Sequence, residues 1–168
     1  MRTKRSGVKQ SKMKKILKIT ILLTIISFTI FTKWWYVLPL DGTDQIMNGF
    51  PLAYIYPCCN SLEFMVILSH LIIDVLVYFA FWFTIVFVVN KYLFEIKLSK
   101  FITIPLWIIS ILHLLFMSWI YYEIGHFQWV EDDFLKKKKI METGYRFIWE
   151  EVERPDYYKY HPEKKEIK

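Results

Sequence analysis

One apolar segment, residues 64–90, constrains what this chain can fold into more than any other feature. The hydrocarbon core of a bilayer is roughly 30 Å thick, and a helix of about 20 apolar residues crosses it. Two further apolar segments, at about 16–38 and 101–122, are of similar length. Hydrophobic residues make up 55% of the chain, more than a soluble domain of 168 residues needs. We therefore predict an all-α membrane protein with three transmembrane helices.

The distribution of charge predicts how these helices are oriented. Residues 1–15 are basic and contain no acid, which is typical of a cytoplasmic tail, whereas residues 39–63 contain no Lys or Arg and are expected outside. Lys91, Lys97 and Lys100 then mark a second cytoplasmic loop. The prediction is a three-helix membrane domain at 16–124 in a bacterial inner membrane, with the N-terminus in the cytoplasm.

The C-terminal tail, residues 125–168, is charged but balanced, with ten basic and ten acidic residues. Its predicted place is outside, although the lysines at 136–139 conflict with that placement. Its apolar residues recur at roughly helical spacing, and residues 145–149 equally fit a short strand. The tail is therefore an element whose secondary structure the pattern leaves open.

The expected partners are the lipid bilayer and other membrane proteins or further copies of the chain. Nucleic acid is not expected, because the net charge of +6 is concentrated beside the first apolar segment. Thr20, Thr24 and Ser27 share one face of the first helix, which predicts a surface for helix packing. No cofactor is predicted.

Ionisable residues inside the apolar segments are the candidate functional residues. His70, Asp74 and Tyr78 lie at i, i+4 and i+8, so they share one face of the second helix, and Ser110 and His113 lie one turn apart on the third. Such residues are costly in a membrane and default candidates for function. Matching the helix ends places His113 at the depth of Asp74.

Several interpretations of this cluster remain open. It is a structural polar contact, a proton or ion relay that uses Asp74 with His70 and His113, or a metal or haem site on the two histidines. No nucleophile elbow, HExxH or phosphate loop indicates an enzyme, which leaves a membrane enzyme built on His70, Asp74 and Tyr78 as a third, less favoured interpretation. The leading hypothesis is a non-enzymatic accessory, scaffold or subunit of a membrane complex. The alternative is an oligomeric component that conducts or transports protons or ions.

Cys58 and Cys59 are adjacent in the predicted outer loop and are candidate disulfide or redox residues. They form no CxxC motif, and a disulfide between neighbouring cysteines is strained. Reduced or metal-contacting thiols, a bond to a partner and a neutral structural role are the other interpretations.

Two short patterns carry a resemblance. Residues 49–52 (GFPL), followed by residues 71–74 (LIID) and 78–79 (YF), resemble short multi-pass membrane proteins of Bacteroidetes-type bacteria with no assigned function. The resemblance covers roughly residues 48–90. It implies a bacterial inner membrane and no particular activity.

Overall fold

The computed structural model of this chain contains two compact units. The helical unit comprises Met1–Ile30 and Ile72–His126, and the sheet unit comprises Phe31–Leu71 and Phe127–Lys168. The structure describes residues 2–39, 44–57, 63–93, 100–124, 126–130, 138–147 and 149–161.

Three long helices arise from the three apolar segments. They are α1 (Arg2–Ile30), α2 (Leu68–Val88) and α3 (Lys100–Ile124), and α2 continues into a π-helical turn at Val89–Leu93. No glycine interrupts α2 or α3. Their many β-branched and aromatic residues have only moderate helix propensity, so the long uninterrupted apolar runs, rather than propensity, account for these helices. The first four residues of α2 belong to the sheet unit, and the remainder belongs to the helical unit.

Within the described residues, six strands form one sheet in the order β5-β4-β3-β2-β1-β6. Antiparallel pairing joins β1 to β2, β1 to β6, β2 to β3 and β3 to β4. The strands are β1 (Phe31–Pro39), β2 (Gln45–Asn48), β3 (Ile55–Pro57), β4 (Glu63–Ile67), β5 (His126–Val130) and β6 (Lys138–Phe147). A short helix, α4 (Tyr157–Tyr160), follows β6.

The centre of the sheet unit is strand β1, which pairs on both sides. It pairs with β6 from Phe31↔Phe147 to Pro39↔Lys138, and its register shifts between Tyr36 and Val37. Its aromatic and β-branched residues fit a pleated, half-buried surface. The buried core of the unit contains Val37, Met47, Ala53, Tyr56 and Ile67.

A tight turn at Gly49 connects β2 to the segment before β3. Gly49 has a φ of 148°, which side chains rarely tolerate. Its N–H donates to the Lys33 carbonyl at 2.9 Å, and its carbonyl accepts from Trp35 Nε1 at 2.9 Å. The turn is thereby fixed against β1, and the Phe50–Pro51 peptide that follows is cis.

The predicted all-α, three-span architecture is wrong. The first helix ends at Ile30, where the prediction continued to about 38, and the predicted outer loop contains β2 and β3. The predicted second span begins in β4, and the tail contains β5 and β6. An apolar, aromatic run satisfies a buried strand as well as a helix, and only pairing with distant segments decides between them.

The multi-pass inner-membrane localisation is likewise corrected. Within the described residues, one helix, Leu68–Leu93, is long and apolar enough to cross a membrane. The apolar part of α3, Thr103–Phe116, is shorter. The positive-inside argument that rested on three spans therefore loses its basis, since it assumed alternating sides for each loop.

Candidate functional site

The candidate site is a polar stripe on α2, formed by Asp74, Tyr78 and Trp82. Asp74 is 0% exposed and Tyr78 is buried, and Trp82, one further turn along, is half-buried. The spacing of four residues keeps the three side chains on one face of the helix. The carboxyl and phenol groups of this helix thus point towards protein.

Most of the remaining α2 surface is apolar and exposed, although Val86 is buried and Ser69 and Thr84 are exposed. Only 17% of its most apolar window is buried. This is the reverse of a helix on a water-soluble protein, which exposes polar residues and buries apolar ones. The large apolar side chains exposed on α2 are Leu68, Ile72, Ile73, Val75, Leu76, Val77, Phe81, Ile85, Phe87 and Val88.

His70, the first member of the predicted cluster, belongs to the sheet unit. Its Nδ1 donates to the carbonyl oxygen of Ala53 at 2.8 Å. The ring therefore ties the first turn of α2 to the segment before β3. Helical spacing alone placed His70 with Asp74, but it could not indicate that the chain changes unit between the two residues.

Helix α1 supplies hydrogen-bond partners for the other two helices. Trp82 Nε1 donates to Ser27 Oγ at 2.7 Å, and His113 Nε2 lies 2.7 Å from Thr29 Oγ1. Thr29 Oγ1 directs its own hydrogen to the Ile25 carbonyl at 2.8 Å, so the imidazole N–H is the donor to Thr29. Sequence reasoning missed Trp82 and Thr29, because each is an ordinary residue for a membrane helix.

The same contacts define the levels of the helices. Phe28 packs edge-to-face on Tyr78 with ring centroids 5.6 Å apart, and the next residue, Thr29, contacts His113. Tyr78 and His113 therefore lie at the same height along α1. Asp74 lies one helical turn, about 6 Å, from Tyr78 along α2. The predicted pairing of Asp74 with His113 stays a prediction.

The helical unit also contains buried hydroxyl groups. Thr20 and Ser110 are 0% exposed, and Thr24 is buried, as expected for a packing face. Thr20 Oγ1 donates to the Ile16 carbonyl at 3.0 Å. Within the described residues, Thr24 Oγ1 and Ser110 Oγ have no hydrogen-bond partner. The interior of this unit thus contains several polar groups.

A second group of polar side chains joins the C-terminal segment to the sheet. Tyr36 Oη donates to Asp44 Oδ2 at 2.6 Å, and His161 Nε2 lies 3.0 Å from Asp44 Oδ1. The ring of Tyr160 lies 5.5 Å from that of Tyr36. Burial, followed by the hydrogen bond to Asp44, raises the pKa of Tyr36, so the phenol stays protonated and donates.

Glu142 on β6 fixes α4 to the sheet. Lys159 Nζ lies 2.5 Å from Glu142 Oε1, and Tyr160 Oη donates to the same oxygen. The hydrogen bonds from Lys159 and then Tyr160 lower the pKa of Glu142, while the bond to Glu142 raises the pKa of Lys159. The ion pair is exposed, so it orders α4 more than it stabilises the sheet.

These contacts position side chains and do not form a recognisable catalytic set. Among the described residues, no group of three or more His, Cys, Asp or Glu side chains could hold a metal ion. Cys58, Cys59 and Lys97 lie outside the described residues. The metal, haem and redox interpretations of the sequence stay predictions.

Comparisons with protein-family models, curated proteins and solved structures found no match. The fold and the contacts of this chain therefore carry any functional conclusion.

Proposed function

We propose that this protein is a membrane-anchored, non-enzymatic component of a membrane complex, in which α2 crosses the bilayer and holds the sheet unit at its surface. The observation that carries this proposal is the reversed burial of α2. Its carboxyl and phenol groups are buried, while large apolar side chains such as Leu76 and Phe81, each 58% exposed, cover its outside.

The exposed apolar surface of α2 is suited to contact with lipid. An exposed apolar side chain costs free energy in water, on the order of 25 cal/mol per Å², and contact with acyl chains removes that cost. Leu68–Leu93 contains 26 residues, which as a helix extend about 39 Å and exceed the hydrocarbon core. The buried Asp74 is consistent with a bilayer helix, because charged groups there face protein.

Labelling from each side of sealed vesicles tests whether α2 crosses. Single cysteines replace Ser69 and Tyr92, at opposite ends of Leu68–Leu93, in a chain whose Cys58 and Cys59 are changed to serine. An impermeant maleimide should reach one position from outside and the other only after the vesicles are opened. Equal labelling of both positions in sealed vesicles would refute the crossing.

The role as a component of a complex has its own test. Purification in mild detergent, followed by chemical cross-linking and mass measurement, should yield a particle larger than one chain. A particle that contains only one chain at every protein concentration would contradict this part of the proposal and leave the crossing intact.

The second candidate function is proton or ion movement through Asp74, and it is favoured by the complete burial of this carboxyl group in a helical unit that also buries hydroxyl groups. Thr24 and Ser110 contribute such hydroxyls. In liposomes, Asp74→Asn should abolish flux, while Tyr78→Phe, which keeps the carboxyl group, should retain it. Flux of the Asn variant equal to wild type would eliminate this function.

A further inference from the structure

A group of aromatic side chains, three exposed and two half-buried, lies at one end of the sheet unit. We name it the aromatic surface: Phe31, Phe50, Tyr145, Phe147 and Trp149. Phe31 is the first residue of β1 and pairs with Phe147, the last residue of β6. The antiparallel register of these strands therefore brings the aromatic side chains of both to the same end of the sheet.

The rings contact one another as a continuous group. Phe31 stacks on Tyr145 with centroids 5.5 Å apart, and Phe147 stacks on Trp149 at 5.0 Å with an interplanar angle of 3°. Phe50 packs edge-to-face on Tyr145 at 5.7 Å. Each ring of the two stacked pairs thus has one face covered by its partner.

The aromatic surface does not belong to the buried core of the sheet. Tyr145 is 59% exposed, Trp149 is 67% exposed, and Phe147 is also exposed. Contiguous exposed apolar surface on a protein marks an interaction site. Tyr and Trp in particular are enriched where apolar surroundings meet water, because each has an apolar ring and a polar group.

A cation lies beside this group. Lys33 Nζ is 3.7 Å from the ring centroid of Trp35 and 5.8 Å from that of Tyr145. Lys33 pairs with Tyr145 across the sheet, so the ammonium group is held among the rings. An ammonium among aromatic rings suits the layer of a bilayer that contains phosphate oxygens above and acyl chains below.

We propose that the aromatic surface lies in the headgroup layer of a phospholipid bilayer and orients the sheet unit on the membrane. This inference rests on the proposed crossing of α2. Strand β4 ends at Ile67 and α2 begins at Leu68, so no linker separates the sheet from the proposed membrane helix. Within the sheet, the antiparallel order β1-β2-β3-β4 places the end of β4 at the same end as the start of β1, where the aromatic surface lies.

Site-directed spin labelling of the full chain in phosphatidylcholine vesicles tests the proposal. In the background that lacks Cys58 and Cys59, nitroxide labels are attached at Trp149, at Leu76 on α2 and at Lys139, near the other end of β6. Lys139 lies eight positions from Phe147, about 26 Å along the strand, and serves as the matched control. Oxygen, which concentrates in lipid, and a water-soluble nickel chelate are the two relaxation agents.

The label at Trp149 should be several-fold less accessible to nickel than the label at Lys139, and its oxygen accessibility should lie between those of Lys139 and Leu76. A label at Phe147 should give the same result. If Leu76 is in lipid but Trp149 behaves like Lys139, the aromatic surface is not in the headgroup layer and the crossing stands. If Leu76 is accessible to nickel, the crossing itself fails, and this inference fails with it.

Discussion

Replacing Phe81 with aspartate should cost little free energy if α2 lies in water and several kcal/mol if α2 lies in lipid. Phe81 lies near the middle of Leu68–Leu93, about 20 Å from the first residue at 1.5 Å per residue, and its side chain is 58% exposed. In water, a change at such an exposed position alters the stability by about 0.5 kcal/mol or less. At the centre of a bilayer helix, aspartate costs about 3 kcal/mol for insertion.

Loss of the phenyl group adds about 0.5 kcal/mol, since Phe favours the helix centre by that amount. The total of about 3.5 kcal/mol corresponds to a decrease of several-hundred-fold in the insertion equilibrium. Phe81→Leu is the matched control, because it changes shape and keeps the side chain apolar. The expected order of membrane insertion is wild type equal to Phe81→Leu, and both far above Phe81→Asp.

The assay is two-sided maleimide labelling, with the fraction of chains that have the ends of α2 on opposite sides as the readout. Phe81→Asp should reduce this fraction sharply, while Phe81→Leu should leave it unchanged. The reasoning would be refuted if Phe81→Asp inserted as well as Phe81→Leu, or if the aspartate variant were a folded protein in water with unchanged thermal stability.

Three further changes test the sheet unit. Gly49→Ala should destabilise it by about 3 kcal/mol, because a Cβ would lie 2.0 Å from a backbone oxygen; an unchanged denaturation midpoint would contradict this. Gly144→Ala should cost only about 1 kcal/mol, since the obstacle at 2.6 Å is the movable Trp34 ring, and a larger loss than at Gly49 would show the order to be wrong. The ion pair between Glu142 and Lys159 should be fully formed at neutral pH. It should be lost as pH falls through the lowered pKa of Glu142, below 4.5, or rises through the raised pKa of Lys159, above 10.5. The NMR amide signals of α4 should therefore shift as the pH falls below 4.5, and Glu142→Gln should remove this shift. If the shift remained in the Gln variant, another group would be its cause.

The sequence predicted the parts of the fold that depend on local pattern. Residues 70, 74 and 78 lie on one face of a helix because a spacing of four residues determines it, and α3 follows from a long apolar run. The hydroxyls of Thr20 and Thr24 were placed on a packing face for the same reason, and both are buried.

The parts that failed depend on pairing between distant segments. The aromatic run at the start of β1 fits a helix or a strand equally, and it becomes a strand by pairing with β6, more than 100 residues away. No alternating pattern marked β2 or β3, each too short to show one. The separation of His70 from Asp74 depends on this sheet as well, because the bond to Ala53 holds His70 in the sheet unit.

Photo-crosslinking from α2 in native membranes is the most direct test of contact between this helix and lipid. A photoreactive benzophenone residue replaces exposed Phe81 in one chain and buried Tyr78 in another. Irradiation should attach phospholipid at position 81, while position 78 should crosslink within the protein, near Phe28. Absence of lipid at position 81, with crosslinks to protein or quenching by water in its place, would contradict the membrane-anchored account.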